Sequence, residues 1–389
     1  MKKGDGDCKD SSKKNVILLG ASSMFNDFSS EMITPVLPFY ITSLGGAGFA
    51  IGALSGLREG LASLFKILGG WVSDRTGKRK PIVFVGYLLS LLFRFSLLIA
   101  DSWRAVLALV SFERIGKLRD GPRDAMIASY GSHRGMNFGI QQMMDNIGGI
   151  IGILFIIFLF WKFNIDFKVI IIIASIIGIL SIVPLFFVKE KIFSKEKENL
   201  YQGIKQVNKK LKHFVFIVSV FTLANFGISM FLLLKVQEIT GSMLASLGMY
   251  ALFNISYAAF VIPFGRLSDK IGRKKVLMIG YILFFVLALG LIFISNIFLL
   301  LIIFVFYGVV LAITHSNERA FASDLSGKMK GTSMGFFHSV VGIVNIPAGI
   351  IAGLLWDVSP KVMFMYITVV ALIAVILLWS FREGKSYER

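Results

Sequence analysis

Apolar residues in this chain come in long runs separated by short polar breaks, with little of the period-two alternation that marks a half-buried strand. A helix that crosses the hydrocarbon core of a bilayer needs roughly 20 mostly apolar residues. Twelve stretches meet that length, at residues 15–44, 50–72, 81–100, 103–125, 137–161, 167–188, 214–235, 243–267, 275–295, 297–318, 333–356 and 362–381. The pattern predicts an all-α membrane protein with twelve transmembrane helices in two six-helix, pseudo-symmetric halves. On this reading residues 1–14 form a tail, 15–188 the first bundle, 189–212 a charged linker, 213–381 the second bundle and 382–389 a second tail.

Composition agrees with the pattern. The chain is 56% hydrophobic and only 16% charged, against roughly a quarter charged in soluble domains. Its net charge of +18 would suggest a nucleic-acid partner if it were gathered on one face of a soluble domain. Instead the cations follow the topology. They fill the tail (Lys2, Lys3, Lys9, Lys13, Lys14), the linker, and the segments after the second and eighth helices, whereas the turns at 45–48 and 295–297 carry none. This is the positive-inside distribution. It predicts a multi-pass protein of the cell inner (cytoplasmic) membrane, with both termini and the linker in the cytoplasm and no nucleic-acid partner. The apolar stretch from Val16 to Leu44 is too long for a cleaved leader and lacks a small-residue cleavage pattern. One cysteine, Cys8, allows neither an intrachain disulfide nor a cysteine-held metal, and four histidines make no His-rich tract. No metal or cofactor is expected. Phosphate-binding loops, catalytic triads and metalloprotease patterns are missing from the sequence, so no enzyme is expected. Transport would then draw on an ion gradient or on the substrate's own.

The two halves repeat. Gly70-Trp71-Val72-Ser73-Asp74-Arg75-Thr76-Gly77-Lys78-Arg79 is matched by Gly265-Arg266-Leu267-Ser268-Asp269-Lys270-Ile271-Gly272-Arg273-Lys274, at an offset of 195. Gly135 and Gly139 match Gly331 and Gly335 at an offset of 196, and Arg123 matches Arg319 at the same offset. Parallel six-helix repeats around a central cavity are a known transporter architecture.

The repeated loop resembles the G-x-x-x-D-R-x-G-x-R signature that follows the second helix in the major facilitator superfamily. The second copy is looser, with Lys270 and Lys274 at the arginine positions. The resemblance extends over about residues 15–383. It implies a monomeric secondary transporter working by alternating access, with a cytoplasmic latch that holds the halves together when the protein opens outward. On that reading the gate comprises Gly70, Asp74, Arg75, Gly77, Arg79, Gly265, Asp269, Gly272 and Lys274, joined by Arg119, Arg123, Glu318 and Arg319. Gly70 and Gly265 are expected to permit close helix contact, Gly77 and Gly272 a tight turn, and Asp74 and Asp269 a helix N-terminus or an arginine partner.

The segment Glu113-Arg114-Ile115-Gly116-Lys117-Leu118-Arg119-Asp120-Gly121-Pro122-Arg123-Asp124-Ala125 is similar to the R-x-G-K-G-x-R-x-x-P-R-D-A segment of one prokaryotic branch of that superfamily. It is one residue shorter, lacking the glycine after Lys117. The fifth helix carries Gly148 and Gly149 where drug antiporters end their G-P-x-x-G-G motif, but Met144 and Asp145 stand at the Gly-Pro positions.

An ionisable side chain at mid-membrane costs about 2.5–3.5 kcal/mol on insertion scales, so such residues tend to face a cavity or a partner. Asp27 and Glu31 are four apart on one helical face, where mutual repulsion favours proton uptake; the alternative is pairing with arginines for stability alone. The fourth helix carries a stripe of Glu113, Lys117, Asp120 and Asp124. Its Arg114 matches an arginine that the family links to proton coupling. Arg119 and Arg123, nearer the cytoplasm, are expected to gate or snorkel. Glu59, Ser63 and Lys66 share a face, Arg58 is read as an outer surface anchor, and Arg94 is paired with Asp145. In the second half Asn225, His315, His338 and Asn345 are the polar candidates. The leading expectation is proton-coupled export of small amphipathic or drug-like compounds, as in an antiporter of multidrug efflux type. Buried acids at Asp27 and Glu31 support it. Arg94, Arg114 and Lys117 support the alternative, proton-coupled transport of an organic anion. A non-transporting membrane sensor would need an added soluble domain or decayed gate motifs, and the chain has neither. The expected partners are thus a small-molecule substrate, protons and lipid.

Overall fold

A computed structural model gives the architecture. It describes residues 4–130, 134–163, 165–190, 207–293, 296–326 and 330–382, with the side chains of 4–13, 134–135 and 330–332 outside that description. The side chain of Cys8 and most of the linker therefore lie outside the described residues.

The protein is all-α, with twelve crossing segments in two halves of six. Among the described residues, nine helices are long and apolar enough to cross a membrane. The other three crossings are the first, second and fourth. The first and second carry ionisable side chains within their apolar stretch, and the fourth is both charged and broken. The first crossing is Gly4–Ile33 followed by Leu37–Ser43. Its helix begins at Gly4, ahead of the expected start at residue 15. It breaks before Pro35, whose ring disfavours helical geometry in the residue ahead of it. The second is Gly48–Thr76, and the third is Lys80–Ser96 with a 3-10 turn at Leu97–Ile99. The fourth is three pieces, Trp103–Glu113, a 3-10 stretch Arg114–Arg119, and Asp120–Ser129, where a single continuous helix was expected. The fifth is Arg134–Phe163, and the sixth is Phe167–Ile179 with Val183–Phe187. The seventh, Lys209–Ala224 and Ser229–Thr240, is broken around Gly227, which has a φ of +79°. The eighth to twelfth are Met243–Ile271, Arg273–Leu291, Ile297–Leu325, Lys330–Val358 and Pro360–Ser380.

The chain divides into two compact units, Met1–Gly46, Leu57–Glu198 and Met243–Ala251 in one, and Ala47–Gly56, Asn199–Ser242 and Leu252–Arg389 in the other. In the first unit the first helix packs on the fifth and sixth, and the third packs on the fourth. A buried cluster of Val16, Leu19, Val83, Tyr87, Met126, Ile127, Leu185 and Val188 ties these together. In the second unit the seventh helix packs on the eleventh and twelfth, and the ninth packs on the tenth. The same packing plan therefore recurs. One device recurs with it. The Lys80 ammonium donates to the carbonyl of Val188 at 2.7 Å, and that of Lys274 donates to Phe381 at 2.5 Å. Each puts a cation on the carbonyls that end the last helix of its half. Lipid-facing rows such as Ile151, Leu154, Phe158 and Trp161 stay exposed along the fifth helix.

Small residues set the closest approach inside the second unit. A β-carbon on Gly52 or Gly56 would run into the backbone at Gly349, Gly353, Asn345 and Ile346. Beside them the Asp357 carboxylate accepts from the backbone N–H groups of Gly48 at 2.6 Å and Phe49 at 2.8 Å. That is a charge-assisted cap on the backbone donors at a helix start.

Candidate functional site

In the first unit the charged side chains of the second to fourth helices converge. Arg94 of the third helix is 3% exposed. It donates to Ser29 Oγ at 2.5 Å and to Asn26 Oδ1 at 3.3 Å, and lies 3.8 Å from the Glu113 carboxylate. Glu113 also pairs with Arg114. Arg94 therefore meets Glu113 and not the expected Asp145, because third and fourth helices pack directly on each other. Asp145 instead lies within electrostatic reach of Asp27, Arg123 and Lys117. One of its buried oxygens has no hydrogen-bond partner among the described residues.

Arg58 is a second correction. Read as a surface anchor, it is 8% exposed, and donates to Thr34 Oγ1 of the first helix at 2.9 Å. Arg58, Arg94, Glu113 and Arg114 line one cavity, whose remaining wall is largely apolar and includes Ile33, Leu37, Leu97 and Val110. Glu59 is exposed instead, and Lys66 pairs with Asp124 at 3.0 Å.

Asp27 accepts from the Asn26 amide at 3.1 Å. Glu31 accepts from the Tyr250 hydroxyl at 3.0 Å. Among the described residues neither carboxylate has a cation within ion-pair distance, although Arg58 acts on Glu31 from farther off.

Arg119 and Arg123 do not snorkel. Arg119, 1% exposed, donates to Ser90 Oγ at 2.7 Å and to the Gly116 carbonyl at 2.9 Å. Its guanidinium stacks 4.4 Å from the centre of the Tyr87 ring. Arg123 donates to Ser23 Oγ at 2.7 Å and pairs with Asp124 at 3.1 Å. The Gln141 amide oxygen, oriented to satisfy both groups, accepts from Arg123 at 3.0 and 2.8 Å. Asp120 gathers Lys117, Arg119 and Arg123 within 3.9 Å. These side chains knit the interior of the half, because the third and fourth helices are too closely packed to let them out.

The signature loops turn at Gly77 and Gly272, with φ of +72° and +96°. Asp74 pairs with Arg79 at 3.3 Å and Asp269 with Arg273 at 3.1 Å, each within its own loop. Arg75 lies over the Trp71 ring. The expected contact role of Gly70 and Gly265 needs correction, since a β-carbon on either would meet open space. The tight approach is made by Gly69, against the Leu118 carbonyl, and by Gly121, against the backbone of Gly70.

In the second unit Asn225 accepts from the Tyr307 hydroxyl at 2.9 Å. Asn345 donates back into its own helix, to Val341 at 3.0 Å. His315 faces the Tyr257 ring, and His338 the ring of Phe337. Glu318, expected at the gate beside Arg319, is buried and accepts from the Tyr281 hydroxyl at 2.9 Å. Tyr281 in turn stacks on Phe221 with ring centres 3.8 Å apart. Arg319 and His315 are exposed on the same helix. The Tyr281 partner was not legible in the sequence, because it lies on the neighbouring helix.

Comparison with known proteins fits this geometry. The family model described as Major Facilitator Superfamily matches residues 19–238 and 214–389. The uncharacterized MFS-type transporter MJ1317 of Methanocaldococcus jannaschii is 44% identical over 379 residues, covering 94% of each chain. The multidrug resistance protein MdtH of Photorhabdus laumondii is 28% identical over 307 residues, covering 76% of this chain and 75% of its own. Among solved structures, the nucleoside transporter NupG superposes with a TM-score of 0.76 at 14% identity, covering 95% of this chain and 100% of its own. That last likeness establishes the fold alone. Two signature loops, two six-helix halves and a family match over nearly the whole chain lead to one conclusion: the protein is a membrane transporter belonging to the major facilitator superfamily.

Proposed function

We propose that this transporter is proton-coupled and exports small amphipathic compounds by alternating access. The observation that carries the reading is the state of the first-helix carboxylates. Asp27 and Glu31 hold neutral hydrogen-bond donors, and among the described residues neither is locked in an ion pair. A carboxylate fixed by a close arginine keeps its charge, whereas one held by neutral donors is free to take and release a proton. The relatives named multidrug resistance protein MdtH support the substrate class and the direction of export.

The test uses the purified full chain in proteoliposomes, with a panel of labelled anionic and cationic amphipathic dyes and an imposed pH gradient. The protein is expected to accumulate at least one dye against its gradient. The Asp27→Asn, Glu31→Gln double variant is expected to lose that accumulation and keep dye exchange, which needs only alternating access. Uphill transport by the double variant with normal pH dependence would refute the assignment and pass the role to Asp145, since Glu113 is held by Arg94 and Arg114. A second reading, transport of an organic anion, is favoured by the arginine-lined cavity.

A further inference from the structure

The cavity of the first unit has an unbalanced lining. Three guanidiniums, of Arg58, Arg94 and Arg114, are each 8% exposed or less, and the one carboxylate that lines the cavity with them is Glu113. That carboxylate is already shared by Arg114 and Arg94. Arg58 is left with the neutral Thr34 hydroxyl as its hydrogen-bond partner, and no carboxylate lies within ion-pair distance of it among the described residues. The Arg114 Nε is likewise buried with no hydrogen-bond partner among the described residues. Other carboxylates act on Arg58 only from farther away. Glu31 accepts from Tyr250, and Glu59 is exposed.

A guanidinium carries five N–H donors in a rigid fork and stays charged. Burying it beside two others, with one carboxylate among three, is unfavourable unless a further anion completes the set. The fork matches the paired oxygens of a carboxylate or phosphate. We propose that this cavity docks a single anionic group, carboxylate or phosphate, carried on an amphipathic organic molecule. Arg58 is its principal ligand, and Glu113 is the resident counter-ion for the other two arginines. The space beside the three guanidiniums is small, and Ile33, Leu37, Leu97 and Val110 flank it, so the anionic group is the part of the ligand that enters. The proposal rests on reading the protein as a transporter of amphipathic compounds and names the polar end of those compounds.

The test is an equilibrium titration, without any gradient, of purified full-length protein in nanodiscs of zwitterionic lipid. The probes are dansyl-aminoundecanoic acid and its methyl ester, which share the apolar chain and differ in charge. Wild-type protein is expected to bind the acid about 10- to 100-fold more tightly than the ester, the range expected of a charge-assisted hydrogen bond. Arg58→Gln is expected to remove that preference, and Arg58→Lys to restore part of it. Equal affinity for acid and ester on wild-type protein overturns the proposal without any variant, as does wild-type affinity for the acid in Arg58→Gln. Stoichiometric displacement of the acid by phosphatidylglycerol added to the nanodiscs would assign the cavity to a lipid head group, and would overturn it as a substrate site. Loss of uphill transport with acid preference intact strikes only the proton-coupling reading. Intact uphill transport with acid and ester bound alike strikes only this one.

Discussion

Arg119 shows how a charge is kept inside a membrane half. Its guanidinium is shared between Ser90, the Gly116 carbonyl, the Tyr87 ring and Asp120, while its Nε has no hydrogen-bond partner among the described residues. Each contact comes from the third or fourth helix, and the residue acts as a rivet between them. Arg119→Gln keeps some polarity but loses the charge and the stacked plane, leaving Asp120 one cation poorer. The expected loss of stability is about 3–5 kcal/mol, the range for breaking a buried pair. Thermal unfolding of purified protein reads it, and an unchanged midpoint would show that Arg119 is no such rivet. Glu318 makes the contrast in the second half. It has a neutral donor, Tyr281, and an aromatic wall in place of a guanidinium. Arg58 could not be placed from sequence, because a cation near a helix end reads equally well as snorkelling or buried. Only the neighbouring Thr34 and the packed first helix decide between them.

The fourth helix is where sequence and geometry explain each other. Between its signature aspartate and the repeated arginine, the first half is one residue shorter than the second, since the offset moves from 195 at Asp74 to 196 at Arg123. The tenth helix runs unbroken from Ile297 to Leu325, whereas its counterpart tightens to a 3-10 stretch at Arg114–Arg119. A 3-10 helix turns about 120° per residue and an α-helix about 100°. Six residues of the first therefore sweep nearly the same angle as seven of the second. The tightened stretch keeps Asp120, Arg123 and Asp124 on the face they would occupy with the extra residue present. Inserting a glycine between Lys117 and Leu118 is then expected to relax the stretch to α-helix and be tolerated. Its cost is about 1 kcal/mol for the glycine itself, or a melting shift of about 2–4 °C. The same insertion after Thr314, in the continuous tenth helix, should rotate Glu318 away from Tyr281 and cost far more. Equal losses from the two insertions would rule out the compensation.

At the scale of the molecule, orientation follows from charge placement along the chain. The lysine-rich segments recur after the second helix, in the linker and after the eighth helix, and are expected on the cytoplasmic side. Cys8 is the single thiol and so reports the side of the N-terminus directly. An impermeant maleimide is expected to label it in inverted vesicles and not in intact cells. Labelling from outside intact cells would reverse the topology. The internal repeat also reaches this scale. The first and third helices pack on the same relative partners as the seventh and ninth, as two copies of one bundle should.

The sequence by itself determined the class, the repeat and the membrane crossings, because apolar run length, charge placement and the paired signature loops are properties of the chain read in order. It also made the membrane-embedded charged residues stand out, since an ionisable group within an apolar run is conspicuous wherever it points. It did not determine the pairings. Arg94 with Glu113, Arg58 with Thr34, Glu318 with Tyr281, and the seating of Gly52 and Gly56 against Gly349 and Gly353 join residues on different helices. Helical periodicity fixes which residues share a face of one helix. Which face meets which neighbour depends on crossing geometry and on where small residues let two backbones approach, and those are settled only when the helices pack.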